Sequence, residues 1–214
     1  MKNVRSPIIK VVLLLSVCAL FALYPASTVF AQTTTVKVEP STTTPRVGET
    51  LTVNITISNV QNLFAVDVTL RWNNSILKVL TNTSLLGVES HPNGVLHETV
   101  NIAQASASQE IGEYTLVATS ISPAYGFSGS GTIASLTFNV TSLGHSALEL
   151  ETELADKPAS GETANLISHT DVPSSVDVSI PEFPTLLAIV ALIVFATGTI
   201  AYSRKYVKKM PSKP

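Results

Sequence analysis

Residues 51–57 read LTVNITI, and this stretch decides the fold class. Its apolar residues occupy every odd position from Leu51 to Ile57, and threonine or asparagine occupies every even position. Successive side chains of a β-strand point to opposite faces of the sheet. A period of two therefore predicts a strand with one buried face and one exposed face.

The same alternation returns several times along the chain. After a turn predicted at 59–62, residues 64–72 place five apolar side chains on one face: Phe64, Val66, Val68, Leu70 and Trp72. Residues 134–140 and 148–154 alternate in the same way, and no exported stretch keeps a helical period of 3.6. Many short strands separated by turn residues predict an all-β sandwich with Trp72 in its core.

The N-terminus has the pattern of a secretory signal peptide, which we predict to cover residues 1–31. Basic residues precede an apolar run at 11–23 that is too short to span a bilayer. The small-residue site Val29-Phe30-Ala31 predicts cleavage after Ala31 and a mature start at Gln32. The alternative is an uncleaved N-terminal anchor.

A second apolar segment, residues 185–202, contains no charged residue and is followed at once by Arg204, Lys205, Lys208 and Lys209. At about 1.5 Å per residue this run is roughly 27 Å long, close to the thickness of a hydrocarbon core. Basic residues stay on the cytoplasmic side of a membrane. The sequence therefore predicts one C-terminal transmembrane helix, with the tail at 203–214 in the cytoplasm and the N-terminal domain outside the cell.

The motif Pro181-Glu182-Phe183-Pro184 stands directly before this segment. The order of motif, apolar span and basic cluster resembles the PEF-type C-terminal sorting signal of archaeal surface proteins. That resemblance implies that an archaeosortase cuts near the motif and transfers the protein to another anchor. The alternative is a plain stop-transfer helix that keeps the chain in the membrane.

The charge of the exported region limits its partners. Residues 32–182 contain all fifteen acidic residues of the chain and five basic ones, which gives a net charge of −10. Such a domain repels phosphate backbones, so we expect no nucleic-acid partner. The one cysteine, Cys18, lies in the first apolar run, and the mature domain is expected to contain no disulfide and no cysteine-based catalytic or metal site.

Three motifs in order along the exported region resemble a cohesin domain. Residues 47–55 (VGETLTVNI) resemble its opening strand, residues 64–79 (FAVDVTLRWNNSILKV) its second element, and residues 131–140 (GTIASLTFNV) its late strand. The resemblance implies a jelly-roll β-sandwich of about nine strands at 46–180. Residues 32–45, which are rich in threonine and proline, are expected to form a spacer and a first edge strand.

The resemblance also implies a function. Bacterial cohesins hold dockerin-bearing enzymes in polysaccharide-degrading complexes, and they are structural relatives of carbohydrate-binding modules. We therefore expect a non-enzymatic binding module for a dockerin-like protein or a carbohydrate. The family's contacts are spread over a sheet face, so no contact residue is carried over. The alternative is a structural surface-layer or adhesion subunit.

Tyr125 and Phe127 are the candidate ligand contacts. They flank the first glycine of a glycine-rich stretch at 126–131, GFSGSG, which we predict to be a flexible exposed loop. The stretch precedes a strand rather than a helix, so it does not match a phosphate-binding loop.

Four Asn-X-Ser/Thr sequences are candidate N-glycosylation sites: Asn54, Asn73, Asn82 and Asn139. Asn54 and Asn139 are predicted to point away from the core, and Asn73 is predicted to lie in a turn. The alternative is that these sequences arise by chance in a chain rich in threonine and asparagine.

We predict no catalytic residue, no metal and no cofactor. The four histidines, His91, His97, His145 and His169, lack metal-ligand spacing and are expected at the surface. Neither a nucleophile elbow nor a catalytic triad can be traced. Glu149, Glu151 and Glu153 line one strand face, which is expected to be a solvated charged face. Contact with calcium or sugar is the alternative.

Overall fold

The computed structural model of the protein describes residues 33–180 and 185–207. The predicted signal peptide, its cleavage site at Ala31 and Gln32, and the motif Pro181-Glu182-Phe183-Pro184 lie outside these residues. The predicted cytoplasmic tail lies outside them from residue 208 onward.

The prediction of an all-β domain of about nine strands is confirmed. The strands are β1 (Thr34–Pro40), β2 (Thr50–Arg71), β3 (Leu77–Ser84), β4 (Val100–Ser108), β5 (Glu113–Ser120), β6 (Phe127–Val140), β7 (Gly144–Asp156), β8 (His169–Val172) and β9 (Ser174–Val178). One helix, α1 (Thr185–Val207), follows. Counting only the described residues, no helix is long and apolar enough to cross a membrane.

The nine strands form two sheets that share the long strand β2. The first part of β2 pairs with β1 and β6, which gives the strand order β3-β6-β2-β1-β8, named sheet I here. The second part of β2 pairs with β5 and β7, with β4 beyond β5 and β9 along the start of β7, and this is sheet II. The pairings are antiparallel except that of β1 with β8.

β2 folds back at a corner formed by residues 59–62. Asn59 and Asn62 have φ angles of 58° and 57°, a left-handed conformation that asparagine tolerates better than most residues. The pairing of β2 with β6 shifts register on both sides of Val60. The turn predicted at 59–62 is therefore a corner inside one continuous strand, which carries the chain from sheet I into sheet II.

The predicted burial of Phe64 is wrong. Leu63 is fully buried in its place, and Phe64 is half-buried. A register shift between Leu63 and Ala65 in the pairing with β7 interrupts the alternation that the sequence pattern had assumed to be continuous. From Val66 onward the predicted alternation is correct, and Val66, Val68, Leu70 and Trp72 are all buried.

The core lies between the two sheets and includes the side chains predicted for it. Trp72 is 5% exposed, and its indole N–H donates to the backbone carbonyl of Leu77 (3.1 Å). Its ring packs edge-on against that of Phe138, with 4.9 Å between the ring centres.

The prediction of β1 as an edge strand outside the core is wrong. β1 lies between β2 and β8 because β8 pairs along its other side, and Val36 and Val38 are therefore buried.

The predicted glycine-rich loop at 126–131 is also wrong, because β6 begins at Phe127. Phe127 is 8% exposed and belongs to the core, with the ring of His97 6.2 Å from its own. A Cβ on Gly126 would overlap the side-chain oxygen of Asn62, and a Cβ on Gly131 would overlap the carbonyl oxygen of Gly94. These glycines therefore permit close backbone packing at the corner of β2 rather than loop flexibility.

Candidate functional site

The outer face of sheet II is strongly acidic. Its outward-pointing residues come from alternate positions of β5, β2 and β7, as the pleat of each strand requires. Five of them are carboxylates and one is basic: Asp67, Glu113, Glu149, Glu151, Glu153 and Arg71. The predicted exposure of the three glutamates on β7 is confirmed.

Arg71 neutralises one end of this face. Its guanidinium donates from Nε to Glu113 (2.9 Å) and from Nη1 to Glu151 (3.2 Å), so that it bridges β5 and β7 across β2. Hydrogen bonds to Glu151 and then Glu113 raise the pKa of Arg71 above its ordinary value. The carboxylates of Glu113 and Glu151 therefore both have a basic partner, Arg71, within the domain.

The other end of the face carries carboxylates without such a partner. Asp67 on β2 lies opposite Glu153 on β7 in the strand register. Within residues 33–180, neither carboxylate forms an ion pair or accepts a side-chain hydrogen bond. Like charges opposite each other on neighbouring strands destabilise a sheet, so the fold gains nothing from this pair.

A shallow apolar hollow lies beside Asp67 and Glu153. Its floor and walls are small or aliphatic side chains from five segments: Ala65, Ala103, Val117, Ala155 and Leu166. The chain after β7 returns alongside β7, where the N–H of Ile167 donates to the carbonyl of Leu154 (2.8 Å). Leu166, the preceding residue, is 74% exposed. The hollow is therefore open to solvent, apolar at its floor and acidic at its rim.

Tyr125 stands at the same end of sheet II and is 78% exposed. The Lys157 ammonium lies 5.4 Å from the centre of the Tyr125 ring and 5.9 Å from that of Phe64, and it donates to the carbonyl of Ala124 (2.6 Å). The exposure predicted for Tyr125 is therefore confirmed, whereas that of Phe127 is wrong. Tyr125 and Phe127 therefore do not form a joint contact surface, because one ring is exposed and the other is buried in the core.

The outer face of sheet I has a different chemistry. Hydroxyl and amide side chains lie opposite one another across its strands, in the rows Thr52–Thr137–Thr81 and Asn54–Ser135–Thr83. Its charged residues include Lys37 and Glu39, which pair with each other at 3.3 Å. The two outer faces of the sandwich are thus distinct, one nearly neutral and hydroxyl-rich and the other acidic.

The four candidate glycosylation sites differ in exposure. Asn54 and Asn139 point outward from sheet I as predicted, but both are half-buried among neighbouring strands, and Asn54 Oδ1 accepts from the hydroxyl of Ser135 (2.7 Å). Asn73 and Asn82 are exposed. N-glycosylation stays a prediction, and the geometry favours Asn73 and Asn82. None of the four lies on the outer face of sheet II.

One group of side chains has the composition of a hydrolase triad but not its geometry. The Thr152 hydroxyl lies 2.8 Å from His169 Nε2 and 2.6 Å from Asp171 Oδ1. His169 Nδ1 donates to the carbonyl of Ile167 (2.8 Å) rather than to the carboxylate. In a triad the acid orients the histidine from the ring nitrogen opposite the nucleophile, so this group ties β8 to β7 instead.

The four histidines were expected at the surface, and among them His145 alone is exposed rather than half-buried. His91, His97 and His169 are half-buried, because each makes hydrogen bonds that draw it against the domain: to Leu86, to Glu89, and to Ile167 and Thr152 respectively. Among the described residues, no group of three or more potential ligands could hold a metal ion.

The segment between β3 and β4 is fixed by Glu89. One carboxylate oxygen accepts from the backbone N–H of Glu98 (2.9 Å), and the other contacts His97 Nδ1 (2.7 Å). These two interactions, the backbone one first, lower the pKa of Glu89 to about 2.

The fold has known relatives among solved structures. A non-cellulosomal cohesin from the hyperthermophilic archaeon Archaeoglobus fulgidus matches with 18% identity over 71% of this chain and 94% of its own, at a TM-score of 0.50. A type II cohesin domain from the cellulosome of Acetivibrio cellulolyticus matches with 18% identity over 68% and 95%, at 0.52. A type I cohesin in a cohesin–dockerin complex from Clostridium thermocellum matches with 14% identity over 69% and 100%, at 0.52.

Structural matches at such low identity establish the fold alone. No curated protein matches the chain. The cohesin domain family, however, matches residues 34–179, from the start of β1 to the end of β9. This span covers more than half of the chain and includes β1, which the sequence pattern had assigned to a spacer and first edge strand outside the sandwich. The chain belongs to the cohesin family.

Proposed function

We propose that the protein is a cell-surface cohesin module that binds a dockerin-like protein on the outer face of sheet II and acts by binding alone. The observation that carries this proposal is the unpaired carboxylate pair of Asp67 and Glu153 beside an open apolar hollow. The fold does not use these charges, so a partner is the simplest reason for their position.

The chemistry of the face indicates what the partner brings. An apolar side chain fits the hollow, and a lysine or arginine next to it fits the acidic rim. Complementary charge of this kind accelerates association and weakens as salt screens it. The similar cohesin from Clostridium thermocellum was solved in complex with a dockerin, which supports a protein as the partner class.

A carbohydrate ligand is less well supported than a protein. Sugar rings are commonly bound by stacking on exposed aromatic faces. The aromatic residues on β2 and β5 and directly after β2 are buried or half-buried: Phe64, Tyr114 and Trp72. Tyr125 is an exposed aromatic residue near this face, but it lies at the end of the sheet and beside Lys157. A single ring gives no extended platform.

We further propose that residues 185–202 anchor the module in the membrane, with the domain outside and the basic tail inside. The proposal rests on the uncharged run and the basic cluster of the sequence. Large apolar side chains in the described part of α1, among them Leu192 and Phe195, are 73% and 76% exposed and therefore accessible to lipid. Processing at Pro181–Pro184 by an archaeosortase is the second possible fate of the segment.

Three assays on the purified chain separate the candidate functions. Calorimetric titration with a panel of purified dockerin modules tests the protein partner, and we expect saturable binding that weakens with added salt. Affinity electrophoresis through soluble polysaccharides tests the carbohydrate ligand. Sedimentation tests self-association, which a surface-layer subunit requires. Retardation by a polysaccharide, or assembly into large oligomers, without binding to any dockerin would contradict the proposal.

A further inference from the structure

One end of the sandwich exposes a group of aliphatic side chains that belongs to neither sheet face. Val47, Leu143 and Ile180 line one hollow there and are 49%, 49% and 68% exposed. They come from three separate segments: the loop before β2, the link between β6 and β7, and the chain after β9. We call these three side chains the end patch.

The backbone holds the end patch in place. The N–H of Gly48 donates to the carbonyl of Val140 (2.8 Å), and the N–H of Val140 donates back to that of Glu49 (3.0 Å). The N–H of Thr141 donates to Ile76 (2.8 Å). The loops that carry Val47 and Leu143 are therefore fixed to the ends of paired strands, and the exposure of their side chains is a property of the fold.

The chain leaves the domain at the end patch. Ile180 is separated from the start of α1 at Thr185 by only four residues, 181–184. Five residue steps span at most about 18 Å when fully extended. If α1 begins at a membrane surface, Ile180 of the end patch cannot lie further than about 18 Å from that surface.

The described residues around the end patch carry few charges, unlike those of the outer face of sheet II. Arg46 lines the hollow, and its backbone N–H donates to the exposed Glu49 carboxylate (2.9 Å). His145 and Asp177, at the neighbouring start of β7 and end of β9, contact each other at 2.8 Å. Among the described residues, this end therefore presents fewer carboxylates than the outer face of sheet II, so less negative charge opposes the approach of a lipid headgroup layer.

We infer that the end patch docks on the lipid surface, with Val47, Leu143 and Ile180 inserted at the level of the headgroups. This inference rests on the proposed membrane anchor, and the occupant it commits to is the bilayer itself. Tethering by four residues makes the effective concentration of lipid at the patch high, so a small apolar contact is enough to hold one orientation.

Docking in this way orients the candidate binding face. The part of β7 from Gly144 to Ala155 covers eleven residue steps and is roughly 36 Å long at about 3.3 Å per residue. The end patch adjoins Gly144, and the apolar hollow of sheet II includes Ala155. The hollow and Tyr125 would then face away from the membrane, where a partner has free access.

Tryptophan fluorescence with brominated lipids tests the inference on the full chain. The only native tryptophan, Trp72, is 5% exposed and gives the same background in each variant. The test variants are Leu143→Trp and Ile180→Trp. The matched control is Ile102→Trp, since Ile102 is an aliphatic residue of similar exposure, 47%, on β4 near the far end of sheet II.

Each variant is reconstituted into phosphatidylcholine vesicles with and without brominated acyl chains, and vesicle association is measured by flotation. The quantity compared is the fraction of the introduced tryptophan's fluorescence, above the Trp72 background, that brominated lipid quenches. We expect this fraction to be at least twofold larger for both end-patch variants than for the control, in either orientation of insertion. Flotation with equal quenching of test and control tryptophans overturns docking while the anchor stands. A chain that does not float overturns the anchor and docking together.

Discussion

Asp67 and Glu153 lie opposite each other on β2 and β7, and neither is paired with a basic side chain of residues 33–180. Two exposed carboxylates in this relationship repel each other across the strand pair. Their position is understandable if a basic group from another molecule completes it. The stability and the binding of the protein should therefore respond in opposite directions when one charge is removed.

We predict that Asp67→Asn leaves the free energy of unfolding unchanged or raises it by up to about 1 kcal/mol, since it removes a like-charge pair. Urea unfolding measures this change. Glu113→Gln is the matched control, because it removes a carboxylate that Arg71 does hold and should not stabilise the domain. A loss of more than about 1 kcal/mol in Asp67→Asn would show that the fold itself uses this charge.

The two aromatic residues first predicted as ligand contacts should behave differently when truncated. Phe127→Ala should destabilise the domain by about 3–5 kcal/mol, because the ring is 8% exposed and packed in the core. Tyr125→Ala should cost less than about 1 kcal/mol, the scale of an exposed cation–π contact with Lys157. Thermal or urea unfolding of the two variants decides the matter, and equal losses would contradict this placement of the rings.

Phe138 should be a central support of the sandwich. Its side chain is fully buried, it pairs with Leu51 across β6 and β2, and Trp72 packs against its ring. Phe138→Ala should cost about 3–5 kcal/mol. A change below about 1 kcal/mol in urea unfolding would mean that this face of β6 is not core.

Gly126 should not tolerate a side chain, although its φ angle is ordinary. A Cβ there meets the side-chain oxygen of Asn62 at the corner of β2. We expect Gly126→Ala to lower the melting temperature, and Asn62→Gly to recover part of the loss, since glycine keeps the φ of 57° and removes the obstructing oxygen. Strictly additive effects in this double-mutant cycle would refute the contact.

The segment at 85–99 should loosen in acid. The pKa of Glu89 is depressed to about 2 in the folded state, so its contribution to stability is present above its unfolded value near 4.5 and is lost as the pH falls towards 2. NMR titration of the Glu89 carboxyl should give a midpoint near 2. A midpoint close to 4.5 would mean that the hydrogen bond from the Glu98 N–H does not form in solution.

The sequence predicted the all-β class because alternation survives wherever a strand is paired regularly. Leu51–Val53–Ile55 and Leu136–Phe138–Val140 are examples, and every one of these side chains is buried. The errors lie where pairing is irregular. The register shift beside Leu63 displaces Phe64 from the core, and alternation alone contains no signal for such a shift.

Other features were missed because the sequence cannot show which strands become neighbours. β1 appears polar and proline-bounded, and only its pairing with β8 makes it an inner strand. The strand β4, with the sequence VNIAQASAS, has little apolar alternation because it is exposed on both faces. The pair of Asp67 and Glu153, separated by 86 positions, is likewise created only by the register of β2 and β7.

Carboxyl footprinting of the complex tests the central claim most directly. Exposed carboxylates are labelled with a carbodiimide and an amine, with and without a bound dockerin module, and the labelled sites are read by mass spectrometry. We predict that binding reduces labelling of Asp67 and Glu153 several-fold, while Glu39 on the outer face of sheet I is labelled as in the free protein. Protection of Glu39 with Asp67 and Glu153 still fully labelled would contradict a binding site on sheet II.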